Sequence, residues 1–210
     1  FLNNENVTLP VLAEPLQQAA REGCAASDSP FVLIMHDWCK LSYQSHTSKE
    51  DAWEVTHEHD VGYDSMTSLA VEADHGSPLA PVALHLRAKH QMHSTLATLP
   101  RKTKHLDQLA PTMKAIDQIE LGRRPVHIID READSLGHFR DWTAAGHLFL
   151  VRCDERRVCW QGKSVLLSEI NATLDREFRF RRSGEARYRG KKMRREVAEV
   201  EVVLDRIHKT

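Results

Sequence analysis

The sequence predicts a mixed α/β fold, a sheet with helices on its faces. Three short apolar runs, Phe31–Met35, Pro125–Ile129 and His147–Cys153, read as strands because each is bounded by polar or turn residues. Between the last two, and ahead of each strand, apolar residues recur at helical spacing. Two further apolar-rich runs, Met66–Ala73 and Pro81–Ala88, flank Asp74-His75-Gly76-Ser77-Pro78 and read as a hairpin.

The 210 residues (24.0 kDa) are enough for one domain or one and a half. With 41% hydrophobic and 28% charged residues, the composition is that of a water-soluble globular chain. The longest apolar runs fall far short of the ~18–20 residues of a membrane span. The four cysteines, Cys24, Cys39, Cys153 and Cys159, contain no Cys-x-x-Cys pair, so free thiols in a reducing compartment are expected. The chain opens on Phe1 rather than Met, and a fragment of a longer protein is expected.

The elements follow in order. Val11, Leu12, Leu16 and Ala19–Ala20 predict a first helix, with Gly23 as its stop. Ser27-Asp28-Ser29-Pro30 is loop chemistry. The wholly apolar Phe31–Met35 predicts a strand buried on both faces and ending at His36-Asp37. Residues 44–60 read as irregular, and the hairpin comes next. Leu106, Leu109, Met113, Ile116 and Ile119 predict a helix over 102–121, which Pro111 kinks or restarts and Gly122 ends. The strand Pro125–Ile129 leads to Asp130. Asp134 is the expected N-cap of a helix reaching Ala145, with Leu136, Phe139 and Trp142 or Thr143 on one face. Beyond Asp154 no helical period is evident, and short β segments are expected. The alternation Ala198-Glu199-Val200-Glu201-Val202 predicts a half-buried strand.

A formal net charge of −1 first appears to exclude a nucleic-acid partner, but the sum hides its distribution. Residues 176–195 hold ten Lys/Arg against two Glu, a net +8, which leaves −9 for the rest. Arg181, Arg182, Lys191 and Lys192 lie in that basic stretch, and Arg152, Arg156 and Arg157 follow the last core strand; each group reads either as a solvated basic cluster or as a surface that meets phosphate. Arginine suits phosphate through its planar, bidentate fork.

Asp37 and Asp130 each stand at the end of an apolar run. In α/β sheets ligands gather at the carboxyl ends of strands. Two carboxylates without nearby Cys or His ligands suit a hard cation, Mg²⁺ or Mn²⁺. A pair of such ions can clamp both oxygens of a phosphodiester undergoing displacement. The histidine sets His57-x-His59 with His75, and His85 with His90 and His93, lack tight structural spacing, so no dedicated zinc site is expected from them.

The run Asp130-Arg131-Glu132-Ala133-Asp134, followed by a helix and Phe149-Leu150-Val151-Arg152, resembles the second-aspartate region of bacterial insertion-sequence DDE transposases. These are the cut-and-paste enzymes with a β-strand insertion in the catalytic domain. Asp37 followed by Leu41-Ser42-Tyr43 is similar to their first-aspartate region. The resemblance covers about residues 25–155. It implies an RNase H-like mixed sheet over 25–153, after a helical lead-in over 1–24 and before a basic β-rich insertion over 154–210. It also implies metal-dependent DNA cleavage and strand transfer at transposon ends, with Asp37 and Asp130 as catalytic ligands of a two-metal Mg²⁺ or Mn²⁺ site. Glu132 is expected either to face the metal mouth or to stand beside it, in support or paired with a basic residue, and His36 either to support those carboxylates or to be an ordinary strand histidine. Double-stranded DNA is the implied partner, a homodimer on DNA the implied assembly, and the bacterial cytoplasm, at the nucleoid, the implied location. The family's third acid, a Glu within a Tyr…Arg…Glu…Lys signature, has no counterpart among these residues. Glu196, Glu199 and Glu201 sit on the strand-like pattern and are poor substitutes. The chain is therefore expected to stop before the third acid and to be inactive alone. Another RNase H-like nuclease, or a non-catalytic DNA-binding inhibitor, is the alternative expectation.

Overall fold

The computed structural model describes residues 4–46, 48–54, 57, 60–96 and 104–204, which form two units, 1–152 and 153–210. His59 and the first residues of the expected 102–121 helix lie outside the described residues. Among the described residues no helix is long and apolar enough to cross a membrane.

In the first unit, helix α1 (Leu9–Ala26) starts where the Thr8 side chain accepts from the Val11 N–H and Pro10 occupies the first turn. Gly23 does not stop it. A Cβ there would lie 2.7 Å from Leu79 Cδ2, so the glycine lets the helix press onto the sheet. The strands are β1 (Phe31–Ser42), β2 (Trp53–Glu54), β3 (Val61–Glu72), β4 (Pro78–Arg87), β5 (Met92–Ser94), β6 (Arg124–Ile129) and β7 (Phe149–Val151). A 3₁₀ turn at Leu106–Gln108 leads into α2 (Leu109–Asp117), with Pro111 in its first turn, so the proline begins this helix rather than kinking it. Helix α3 spans Leu136–Ala144.

The seven-stranded sheet runs β5-β4-β3-β1-β6-β7, with β2 added on β3. Strands β1, β3, β4 and β5 are antiparallel neighbours, whereas β1, β6 and β7 run parallel. A meander followed by parallel strands, with helices between them, is the arrangement of an RNase H-like fold, and the chain has that mixed α/β architecture.

Two expectations need correction here. Strand β1 does not end at Asp37. Its parallel ladder with β6 stops at Met35–Ile128, but the antiparallel ladder with β3 continues to Ser42, so backbone partners persist past the aspartate. Nor is β1 buried on both faces. Val32, Ile34 and His36 are buried on the face that carries the helices, whereas Phe31 and Met35 on the other face are 39% and 45% exposed. Leu84 and Leu150 share that open face by register and are also exposed. The helix-side core has two parts. Ala20, Cys24, Ile34, Val82 and Ile116 pack in one; Leu109, Met113, Ile129 and Trp142 pack in the other.

The second unit contains β8 (Arg157–Trp160), β9 (Lys163–Leu166), α4 (Leu167–Arg176), β10 (Arg181–Tyr188) and β11 (Lys191–Val197). Helix α4 overturns the all-β expectation. Leu167, Ile170 and Leu174 do recur at helical spacing, and the Glu169 side chain accepts from the Leu166 N–H at the start of the helix. The alternation at 198–202 forms no strand. Ala198, Val200 and Val202 instead pack on Val158, Ile170 and Leu174, so the apolar period reports burial without a ladder.

Candidate active site and its surroundings

Asp130 follows directly on β6. Extending the parallel register two steps beyond Met35–Ile128 brings Asp130 level with Asp37 on the neighbouring strand. Strand alternation puts Asp37 on the open face, away from buried His36, and gives Asp130 the same side as Ile128 and exposed Leu150. Both aspartates are exposed. Thr67 on β3 is the register partner of Asp37, so a hydroxyl stands on its other flank.

Asp130 also has a local role. One carboxylate oxygen, Oδ1, accepts the Glu132 N–H at 2.9 Å and caps the 3₁₀ turn Arg131–Ala133. Asp134, expected as the N-cap of α3, instead ends that turn, and Ser135 precedes the helix. The capping bond fixes the Asp130 rotamer and leaves Oδ2 for a ligand. Glu132 turns elsewhere: its Oε2 pairs with His105 Nε2 at 3.1 Å, and the His105 ring meets Trp38 edge-on. Of the two roles expected for Glu132, the structure shows the pairing with a basic residue.

His36 corrects the other supporting assignment. It lies on the helix side of the sheet, opposite Asp37, within a chain of hydrogen bonds. Its Nδ1 is 2.9 Å from Ser68 Oγ, and its Nε2 is 2.9 Å from His127 Nδ1. His127 Nε2 is 3.0 Å from Asp117 Oδ1, and His147 Nδ1 is 2.7 Å from Asp117 Oδ2. Burial, reinforced by neighbouring His127 and His85, pushes His36 well below its ordinary value and keeps it neutral. Burial works to raise the Asp117 carboxyl, but the hydrogen bonds from His127 and His147 outweigh it and hold Asp117 below the usual carboxylate range. Because the carboxylate only accepts, each histidine donates to it. His127 Nδ1 must then accept from His36, and His36 Nδ1 from the Ser68 hydroxyl.

Asp117, His127 and His147 were not legible as a set. Their spacing matches no motif, and the end of α2, the middle of β6 and the loop before β7 bring them together only through the fold. Among the described residues they are the one trio of His, Cys, Asp or Glu whose ligand atoms all lie within 4.8 Å of one another. Among the described residues, no third residue of these types completes such a trio with Asp37 and Asp130. His85, in the second expected histidine set, is buried and bonded to Ser94 and Thr112 instead. Exposed His57 and partly exposed His93 also belong to no trio.

Arg152 closes the first unit, its N–H donating to the Ile129 carbonyl. In the second unit, Arg157 opens β8 and the Arg156 carbonyl accepts from the Leu167 N–H. Strands β10 and β11 form an exposed ribbon. Arg181 pairs with Glu199 at 3.1 Å and Arg182 with Glu185 at 3.1 Å, while Lys192 also reaches Glu185. Among the described residues Lys191 and Arg187 have no acidic partner, and Arg189 lies over the exposed Tyr188 ring near the turn.

No family model matches the sequence, and no curated protein matches it. A solved structure, the Drosophila P element transposase strand transfer complex, is similar at 12% identity and a TM-score of 0.29. The match covers 74% of this chain, which spans 37% of that chain.

Proposed function

We propose that the chain is part of the catalytic domain of a DNA transposase of the bacterial insertion-sequence class, cleaving and joining DNA at transposon ends. The observation that carries this reading is that the β1–β6 register, extended two steps, brings Asp130, directly after β6, level with Asp37 on β1, both on the open side of the sheet. Their carboxylates, with the Thr67 hydroxyl beside Asp37, offer hard oxygen donors, while the buried imidazoles of His36 and His127 face away. Such a set fits Mg²⁺ or Mn²⁺. Asp37 and Asp130 would hold the cations, and a third carboxylate, the Glu that the resemblance implies, would complete the set. The cations supply activation of a hydroxyl and stabilisation of charge on a phosphodiester. The chain's own contribution is placement: the β1–β6 register sets the two carboxylates side by side, and the Glu132 N–H locks Asp130. Double-stranded DNA is the partner, held as a homodimer on two ends, in the bacterial cytoplasm. The second unit carries the phosphate contacts through Arg156, Arg157, Arg181, Arg182, Lys191 and Lys192, and Arg152 adds one from the first.

Mn²⁺ titrated into the 210-residue chain is expected to broaden NMR signals around residues 37 and 130, and D37N or D130N to remove that broadening. Broadening that survives both substitutions would overturn the assignment. The same chain is expected to bind duplex DNA without nicking it, because two carboxylates leave the site incomplete. Nicking in Mg²⁺ or Mn²⁺ would refute the need for a third.

The ribbon gives a second test. Arg181, Arg182 and Lys192 are each engaged by a glutamate, whereas Lys191 and Arg187 have no acidic partner among the described residues. The double variant R187E/K191E is expected to weaken duplex binding and to flatten the slope of log affinity against log salt by about 2, for two lost phosphate contacts. An unchanged slope would remove the ribbon from the interface.

A further inference from the structure

Away from the paired aspartates, the fold assembles a donor set of different chemistry. We propose that Asp117, His127 and His147 bind a divalent transition-metal ion of the zinc class. Two borderline imidazole nitrogens with one carboxylate oxygen make a mixed donor set of the kind zinc takes, whereas magnesium favours oxygen donors alone. The site lies on the helix side of β6, opposite the side of Asp130, so it is separate from the proposed Mg²⁺ or Mn²⁺ site and does not depend on it.

The geometry favours an ion in three ways. The three ligand atoms already lie within 4.8 Å of one another, and donors ~2.0–2.2 Å from one tetrahedral ion stand roughly 3.4 Å apart, so small side-chain rotations close the set. The donors come from three fixed elements: the last residue of α2, the middle of β6 and the turn closed by Gly146, whose φ is 79°. The site also has a wet side. His127 is fully buried and the His147 side chain is 6% exposed, but the Asp117 side chain is 34% exposed and lines a pocket of about 510 Å³ with Leu121, Arg123 and Pro125. That side admits the ion and leaves a coordination position for water, as open three-ligand zinc sites require.

The bonds behind His127 complete the set. A metal-bound histidine donates its other ring N–H to an acceptor, which fixes its tautomer. Here His36 Nε2 lies 2.9 Å from His127 Nδ1. With an ion on His127 Nε2, the proton sits on Nδ1 and is donated to His36, and His36 Nδ1–H then donates to Ser68 Oγ. Ion binding therefore reverses the direction of the hydrogen bonds from His127 through His36 to Ser68.

The test is zinc titration of the 210-residue chain by calorimetry, with Co²⁺ as a spectroscopic substitute. The expected result is one ion per chain, d–d bands without a thiolate charge-transfer band, and a swap of protonated nitrogen in the ¹⁵N spectra of His127 and His36. D117N and H147Q are each expected to weaken zinc binding by at least ~10-fold. H147Q introduces no charge, and an unchanged metal-free melting curve certifies its fold. Zinc affinity unchanged in both variants, a thiolate band, or ¹⁵N shifts that do not move with zinc would each overturn the site in favour of a hydrogen-bond network that takes no ion.

Discussion

Replacing Trp142 by alanine is expected to cost the first unit about 3–5 kcal/mol of folding stability, the range for large aromatic side chains removed from a core. Trp142 is among the largest fully buried side chains. Its ring stacks on His138 at 5.3 Å between centroids and meets Phe149 edge-on at 5.2 Å, and Phe139 closes a third side at 6.2 Å. One side chain thus ties α3 to β7 and, through Ile129 and Leu109, to β6 and α2. Ile129 directly precedes Asp130, so a loosened α3 also releases the turn that fixes the proposed metal ligand. Urea unfolding followed by far-UV circular dichroism measures the loss, with Trp142→Phe expected to retain most of the stability. A Trp142→Ala cost within about 0.5 kcal/mol, as at exposed positions, would mean that this cluster does not hold the unit together.

The dependence of Asp130 on its supporting layer also shows where sequence reading stops. Strands β1, β6 and β7 were legible because apolar runs of five to seven residues stand between turn residues, and a helix fits between each parallel pair. Register was not legible. Whether Asp37 ended β1 or lay within it depended on β3, a partner 20 to 40 residues away in the ladder that keeps β1 straight to Ser42. The cap assignment failed for a related reason. Asp130 and Asp134 are both suitable caps, and only the backbone path after Ile129 decides that Asp130 takes the first free N–H. Helix α4 was hidden because its apolar residues are few and follow directly on the short strand β9. The trio Asp117, His127 and His147 was hidden more completely. Ten and twenty residues separate its members, and each reads alone as an ordinary core or helix-end residue. Sequence shows chemistry where one element carries it, and conceals chemistry that three elements share.

His85 makes the same point through pH, and it predicts that the protein loses stability as acid is added below about pH 6.5. His85 lies on the helix side of β4 and is 3% exposed. The Thr112 hydroxyl donates to the Gln108 carbonyl at 2.8 Å, so its oxygen accepts from His85 Nε2–H at 3.1 Å. His85 Nδ1 therefore carries the lone pair, and Ser94 donates to it at 2.9 Å while its own oxygen accepts the Leu96 N–H. Every polar atom of the neutral ring is satisfied. A second proton would displace the Ser94 donor and place a charge in a dry site, and burial accordingly lowers His85 to about 4 from an ordinary 6.5. The sign follows from linkage. Above pH 6.5 both folded and unfolded chains hold the ring neutral, and the full stability is present. Below it the unfolded chain takes up a proton that the folded chain refuses, so stability falls at about 1.4 kcal/mol per pH unit until the folded ring also titrates near 4. The window is worth about 3 kcal/mol in all. Melting curves from pH 7.5 to 4.5 measure the slope, and His85→Gln, which keeps a donor and an acceptor but cannot be charged, is expected to reduce it by about one proton. A slope unchanged by that substitution would mean that the buried ring is protonated in the folded protein, and that Ser94 and Thr112 do not hold it neutral.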